Sequence, residues 1–110
     1  MEYLFSYGTL QDKNVQISTF GREVNLTKDI LKGYYIDEVE IFDQKIIAKS
    51  GKKYHPILIY SGDEEDQVNG SILDLTNIEL ALADEYEVED YQRVKVTLKS
   101  ESQCWAYVSK

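Results

Sequence analysis

The segment Asp84-Glu85-Tyr86-Glu87 places three carboxylates and an aromatic ring at the end of a predicted helix. Carboxylates at a helix C-terminus are unfavourable because they oppose the helix macrodipole. A carboxylate held there for a chemical task would explain the cluster, and so would an acidic face in contact with solvent. Glu87 follows Tyr86, which is predicted to face the core, so Glu87 is expected at the core's edge. Burial there would raise its pKa toward the neutral range that a proton shuttle requires.

The turn Tyr7-Gly8-Thr9-Leu10, where an alternating strand stops abruptly, is the second segment that could carry chemistry. Consecutive amides in such a turn can point together and form a nest that binds a carboxylate. Gly8 also removes a side chain that would obstruct close approach of a ligand. An ordinary strand end has the same spacing, so both interpretations stay open on this evidence.

A nucleophilic or metal-dependent site has little support in the sequence. The single histidine, His55, precedes Pro56, and the single cysteine, Cys104, lies in an alternating segment typical of a strand. A Cys104–His55 pair stays open, although a cysteine in a strand is more often a small core residue than a nucleophile. One histidine and one cysteine give no zinc or iron spacing, and Walker and dinucleotide glycine patterns are absent.

Length and composition predict one domain, residues 1–110, with a modest core built from a chain that is 43% hydrophobic. The formal charge of -8 argues against nucleic-acid binding, which needs a basic face. The clearest basic cluster, Lys45, Lys49, Lys52 and Lys53, is interpreted as a solvated loop. One cysteine and an N-terminus unlike a signal peptide favour the cytoplasm. A membrane span is not expected, because no apolar run approaches the roughly 20 residues that crossing requires.

The elements that must position these residues are mostly strands. Tyr3, Phe5 and Tyr7 alternate with their neighbours and predict a strand that ends at Gly8. A weakly helical stretch follows, and residues 41–48 are assigned to a further strand. Strands outnumber helices and do not alternate regularly with them, which predicts an α+β fold with a mainly antiparallel, barrel-like sheet.

The strongest helix signal in the chain begins at Thr76-Asn77-Ile78-Glu79, which matches a capping box. Ile78, Leu82 and Tyr86 follow at spacings of four residues, which predicts that they share one buried face. The helix is expected to end near Glu87.

These segments, taken in order, resemble the gamma-glutamylcyclotransferase-like family. Its members open with a strand that runs into a Tyr-Gly-Thr-Leu or Tyr-Gly-Ser turn, which corresponds here to residues 4–10. Later the family has a helix ending in Leu-Asp-x-Tyr-Glu-Gly and then a Tyr-x-Arg. Here these are residues 83–88 and Tyr91-Gln92-Arg93. Val88 stands where the family has glycine, and residues 25–53 carry no family signature.

The resemblance implies a small mixed barrel with two or so flanking helices and a pocket. It implies a cofactor-independent lyase or transferase that cyclises a gamma-glutamyl group to 5-oxoproline and releases an amine. Glu87 is then the general acid/base, with its neighbour Glu85 as the rival. The amides of Gly8, Thr9 and Leu10 would bind the glutamyl carboxylate or the developing negative charge.

Tyr7 and Tyr91 are expected, on the same resemblance, to line the pocket with their hydroxyls. The expected partner is a small gamma-glutamyl compound, and neither its leaving amine nor the oligomeric state follows from the sequence. The alternative is a non-catalytic module on the same fold that binds a small ligand or has a regulatory role.

Overall fold

The computed structural model of the protein describes residues 1–40, 42, 44–50, 54–87 and 91–109. The helices are α1 (Lys13–Phe20), α2 (Gln44–Ser50) and α3 (Asn77–Tyr86), with a short 3₁₀ turn at Thr9–Gln11. The strands are β1 (Glu2–Ser6), β2 (Leu26–Lys32), β3 (Tyr34–Glu40), β4 (Tyr54–Tyr60), β5 (Gln67–Leu75), β6 (Tyr91–Thr97) and β7 (Gln103–Ser109). The described strands form one mixed sheet that curls into a half-barrel, so the α+β prediction is confirmed.

The sheet is mainly antiparallel, as predicted. Its strand order is β2-β5-β1-β7-β4-β3, with β6 also paired to β7. The pairs β1–β5, β2–β5, β3–β4 and β6–β7 are antiparallel, whereas β1 and β4 each run parallel to β7. The last strand is therefore the element on which the two halves of the sheet meet.

Strand β7 explains why β1 stops where it does. One edge of β7 pairs with β6 along its whole length. The other edge is shared, because Phe5 of β1 pairs with Ala106 while Leu58 of β4 pairs with Val108. Two further residues of β1 would place Tyr7 opposite Val108, a position that β4 already occupies. The chain must therefore leave the sheet after Ser6, and it turns at Gly8 as the sequence predicts.

Two glycines allow the close backbone approaches at this branch. A Cβ on Gly8 would lie 3.1 Å from Cγ of Pro56 in β4. A Cβ on Gly70 in β5 would lie 2.4 Å from the carbonyl oxygen of Ser6 and 2.6 Å from the Phe5 ring. No side chain fits at the second position without movement of the β1 backbone.

Helix α3 begins with the predicted capping box. Thr76 accepts from the Glu79 amide, and the Glu79 carboxylate accepts from the Thr76 amide. The predicted buried face is wrong at Ile78, which is 75% exposed, whereas Leu80, Ala83 and Tyr86 are buried. Leu80 lies about 200° around the helix from Ile78, because each residue advances the helix by about 100°.

The strand predicted over residues 41–48 is wrong from Gln44 onward, because helix α2 occupies Gln44–Ser50. Gln, Lys and Ala are good helix formers, and they outweigh the short apolar run Ile46-Ile47. Ile41, Asp43, Lys52 and Lys53 lie outside the described residues, and Lys45 is exposed.

The core has two parts on opposite faces of the sheet. Leu4 and Phe5 are successive residues of β1, both fully buried, and they belong to different clusters. The Leu4 cluster includes residues of α1 and α3, so the helices cover that face. The Phe5 cluster is built mainly from strand residues, because the sheet curls over itself there. None of the described helices has the length and apolar character needed to cross a membrane.

Candidate functional site

A small pocket lies where β1 and β4 diverge from β7. It is lined by Phe5, Ser6, Tyr7, Gly8, Thr9, Pro56, Glu87, Tyr91 and Tyr107. The volume open to water is about 20 Å³, which is room for little more than one water molecule, since one water needs about 10–15 Å³ by this measure. The end of α3 and the β6–β7 hairpin close the pocket opposite the turn after β1.

The structure brings together all but one of the predicted site residues. Tyr7, Gly8, Thr9, Glu87 and Tyr91 all line the pocket. Leu10 does not line it, because its side chain is 1% exposed and lies in the core beneath the turn. Any contribution of Leu10 to ligand binding must therefore come from its backbone.

Glu87 caps the C-terminus of α3 and lines the pocket. Its amide donates to the carbonyl oxygen of Ala83 over 3.1 Å, and its backbone is already extended. The side chain is partly buried. Desolvation by the surrounding protein, with a smaller contribution from the nearby charge of Asp84, raises the pKa of Glu87 to about 8. Both protonation states of this carboxyl group are accordingly populated near neutral pH.

The pocket tyrosines are held by hydrogen bonds that use their protons. The Tyr7 hydroxyl donates to the carbonyl oxygen of Tyr107 over 2.5 Å, and the Tyr107 hydroxyl donates to Oδ1 of Asp84 over 2.7 Å. The Tyr91 hydroxyl donates to the carbonyl oxygen of Pro56. Burial raises the pKa of both Tyr7 and Tyr107, so both stay protonated. The hydroxyl protons of Tyr7 and Tyr107 are already donated in these hydrogen bonds. Each hydroxyl oxygen can therefore only accept a hydrogen bond from the pocket, which suits a ligand ammonium group.

The turn after β1 offers backbone donors on the other wall. Among the described residues, the amides of Thr9 and Leu10 have no hydrogen-bond partner, as expected for the first residues of a helical turn. The Gly8 amide has only a long contact of 3.5 Å with Oγ of Ser6. The Thr9 hydroxyl shares a 2.7 Å hydrogen bond with the Tyr86 hydroxyl, which ties the turn to the end of α3. The turn is therefore fixed in place and suited to an anionic group.

A second, wider depression opens beside Glu87. It is lined by Asp84, Glu87, Tyr91, Arg93 and Tyr107, and about 300 Å³ of it is open to water. Nε of Arg93 lies 3.1 Å from Oδ1 of Asp84, the same oxygen that accepts from Tyr107. Sequence reasoning gave no role to Asp84, Arg93 or Tyr107. The strand register explains why, since it places Arg93 opposite Tyr107 and no local pattern encodes that pairing.

The remaining sequence candidates stand apart from this pocket. Cys104 is buried in the core cluster that contains Phe5 and does not line the pocket. Burial raises the pKa of its thiol to about 11, which makes it a poor nucleophile. The side chain of His55 and the whole of Val88 lie outside the described part of the chain.

Comparison with known proteins identifies the family of the chain. The family model for gamma-glutamyl cyclotransferase, AIG2-like, matches residues 4–110. The chain belongs to this family. No curated protein matches the sequence.

Solved structures similar to this member of the AIG2-like gamma-glutamyl cyclotransferase family share its fold. Two are solution structures of Arabidopsis thaliana proteins. The first has 22% identity and a TM-score of 0.74, covering 98% of this chain and 61% of that one. The second has 23% identity and a TM-score of 0.71, covering 98% of this chain and 68% of that one. A gamma-glutamyl cyclotransferase structure has 16% identity and a TM-score of 0.67, covering 99% of this chain and 66% of that one. The chain thus spans about two thirds of the length of these proteins.

Proposed function

We propose that the protein is a cyclotransferase that converts a gamma-glutamyl amine or gamma-glutamyl peptide to 5-oxoproline and the free amine. The observation that carries this proposal is Glu87, a partly buried carboxyl group with a pKa raised to about 8, facing the turn after β1 across a pocket. In the proposed reaction the substrate's α-amine attacks its own γ-carbonyl carbon. A carbon–nitrogen bond forms in the new ring as the bond to the leaving nitrogen breaks. Because nucleophile and electrophile belong to one molecule, the reaction gains the advantage of intramolecularity.

Glu87 moves the proton in this scheme. As a carboxylate it takes a proton from the α-ammonium group, and as a carboxylic acid it returns one to the leaving nitrogen. A carboxyl group with its ordinary pKa of 4.5 would be a weak base toward an ammonium group, and the rise to about 8 removes much of that mismatch.

The rest of the pocket would hold the glutamyl group. The amides of Gly8, Thr9 and Leu10 would bind its α-carboxylate or the oxyanion that develops at the γ-carbonyl. The oxygens of Tyr7 and Tyr107 would accept hydrogen bonds from its ammonium group, and Tyr91 would form the wall beside Glu87. The proposed setting is the cytoplasm, which is consistent with a lone, unpaired Cys104.

One observation favours the alternative, a module that binds a small ligand without turnover. The pocket is open to water over only about 20 Å³, so a glutamyl group enters only if its walls separate. A cyclotransferase must therefore widen this pocket on binding, whereas a module for a smaller ligand need not.

The test is 5-oxoproline release, followed by mass spectrometry, from a panel of gamma-glutamyl amino acids, glutathione, gamma-glutamyl-lysine and gamma-glutamyl polyamines. Glu87→Gln should abolish release while the protein stays folded by circular dichroism. Glu85→Gln, at an exposed position two residues earlier on the same helix, is the matched control and should retain activity. Release by wild type that persists in Glu87→Gln would place the base elsewhere. Silence across the panel would favour the binding module.

A further inference from the structure

The turn after β1 is held from behind by the side chain of Gln11. Gln11 ends the 3₁₀ turn Thr9–Gln11 and, together with Ser71 of β5, lines a groove that is separate from the pocket containing Glu87. Its side-chain nitrogen Nε2 donates to the carbonyl oxygen of Gly8 over 3.3 Å, and its oxygen Oε1 accepts from Oγ of Ser71 over 2.8 Å. The side-chain amide of Gln11 therefore links Gly8 to the sheet.

The chemistry of the two partners fixes the orientation of this amide group. A backbone carbonyl oxygen can only accept, so the Gly8 carbonyl must face the nitrogen of Gln11, which leaves the Gln11 oxygen for the Ser71 hydroxyl. Ser71 is a firm support, because it is 4% exposed and its strand is paired on both edges, with β1 and with β2. The Gln11 side chain is consequently held at both of its polar atoms.

The carbonyl group that Gln11 holds belongs to the same peptide group as the amide of Thr9. In a trans peptide the C=O and N–H bonds point in opposite directions, so whatever fixes the Gly8 carbonyl also fixes the Thr9 amide. The Thr9 amide has no hydrogen-bond partner among the residues that the structure describes. This N–H bond points away from Gln11, which lies outside the pocket that Gly8 and Thr9 line.

The turn needs this support because its own backbone holds the peptide group weakly. Gly8 has no Cβ, so either orientation of the peptide group is sterically accessible. The backbone hydrogen bond from the Gln11 amide to the Gly8 carbonyl oxygen is 3.2 Å long, at the upper end of the usual range, and it belongs to a 3₁₀ turn of three residues. The reversed orientation would present the Gly8 carbonyl oxygen to an anionic group and repel it.

We propose that Gln11, supported by Ser71, is a positioning residue that keeps the Thr9 amide turned toward the pocket as a donor to an oxygen of the gamma-glutamyl substrate. This inference rests on the proposed cyclotransferase function and adds to it a residue outside the pocket. Gln11 acts through the peptide group between Gly8 and Thr9 rather than by contact with the substrate.

Amide NMR of the isotope-labelled protein tests the orientation directly, with 5-oxoproline, the proposed product, as the probe. In wild type, saturation with 5-oxoproline should move the Thr9 amide proton downfield, because this amide then donates to an oxygen of the ligand. Gln11→Met, which has a side chain of similar length and no donor, should lose this shift and bind 5-oxoproline about tenfold more weakly, the range of a hydrogen bond to a charged group. Asn69→Ala, at an exposed position in the same groove, is the matched control and should behave as wild type.

Turnover and stability together separate positioning from a purely structural role. The kcat/KM for 5-oxoproline release should fall about tenfold in Gln11→Met and about threefold in Ser71→Ala, where the Gln11 nitrogen still faces Gly8. Gln11→Met also takes from the buried Ser71 hydroxyl the acceptor that it uses, which lowers the free energy of unfolding in urea. Combining Gln11→Met with Ser71→Ala removes that hydroxyl, so stability should recover toward wild type while kcat/KM stays as low as in Gln11→Met alone.

A kcat/KM that recovers with stability in the double variant, or a Thr9 shift that persists in Gln11→Met, would overturn the proposal. So would a wild-type Thr9 resonance that 5-oxoproline does not move, because no ligand oxygen would then lie at the amide that Gln11 orients. The failure of the proposed function looks different. Wild type would then release no 5-oxoproline from any compound of the panel, while the effect of Gln11→Met on the Thr9 resonance would remain.

Discussion

Replacing Glu87 by Gln should make the protein more stable, and the gain should depend on pH. The pKa of Glu87 is raised on folding, so the folded state prefers the neutral carboxyl group. Below the ordinary pKa of 4.5 the group is protonated whether the chain is folded or unfolded. As the pH rises from 4.5 to about 8, the unfolded chain loses this proton and the folded chain keeps it. Wild type therefore loses stability across this window, and Gln, which does not titrate, avoids the loss.

The magnitude follows from the width of the window. Each pKa unit corresponds to 1.36 kcal/mol at 25 °C, so a rise from 4.5 to about 8 corresponds to roughly 5 kcal/mol in full. At pH 7 the free energy of unfolding of wild type has already fallen by roughly 3 kcal/mol. This is a large fraction of the roughly 5–15 kcal/mol of a small domain, so wild type should be visibly less stable at pH 9 than at pH 5.

Urea denaturation of wild type and Glu87→Gln at pH 4, 5.5, 7 and 9 measures the effect. The difference in free energy of unfolding should be small at pH 4, should grow through pH 7, and should level off above pH 8. Glu85→Gln serves as the control, because its side chain is exposed and loses the same charge. A difference that is constant with pH, or a Glu85→Gln curve with the same slope, would show that Glu87 is not the desolvated group. The measurement needs no substrate, so it tests the site independently of turnover.

The remaining predictions concern the same site and its support. Gly70→Ala should lower the free energy of unfolding by about 3 kcal/mol or prevent folding, because its Cβ would lie 2.4 Å from the Ser6 carbonyl oxygen; a loss below 1 kcal/mol in urea denaturation would mean that β1 and β5 are not this close. Asp84→Asn removes a negative charge that raises the pKa of Glu87. The acidic limb of the plot of kcat/KM against pH should therefore move to lower pH. An unchanged limb would mean that Asp84 does not influence the pKa of Glu87. Gly8→Val should raise KM for a gamma-glutamyl substrate several-fold by displacing the turn from β4, and an unchanged KM would argue against amide binding of the substrate.

Local signals in the sequence were sufficient for the elements nearest the site. The capping box at Thr76-Asn77-Ile78-Glu79 predicted the start of α3. The length of the apolar pattern after it predicted that the helix ends near Glu87. The alternation of side chains also predicted β1, and Gly8 predicted where this strand ends. These features depend on backbone geometry and hydrogen bonds within a few residues, which is what a short stretch of sequence encodes.

Tertiary structure decided what surrounds Glu87. The pocket exists because β1 and β4 compete for one edge of β7, and strands so far apart in the chain leave no local trace of this pairing. The β6–β7 pairing places Arg93 beside Tyr107, and both side chains reach Asp84 at the end of α3. The direction of α3 against the sheet buries Leu80 rather than Ile78. The sequence places a carboxylate at a helix end. Its desolvation, and with it the raised pKa, depends on the non-local packing of other strands around it.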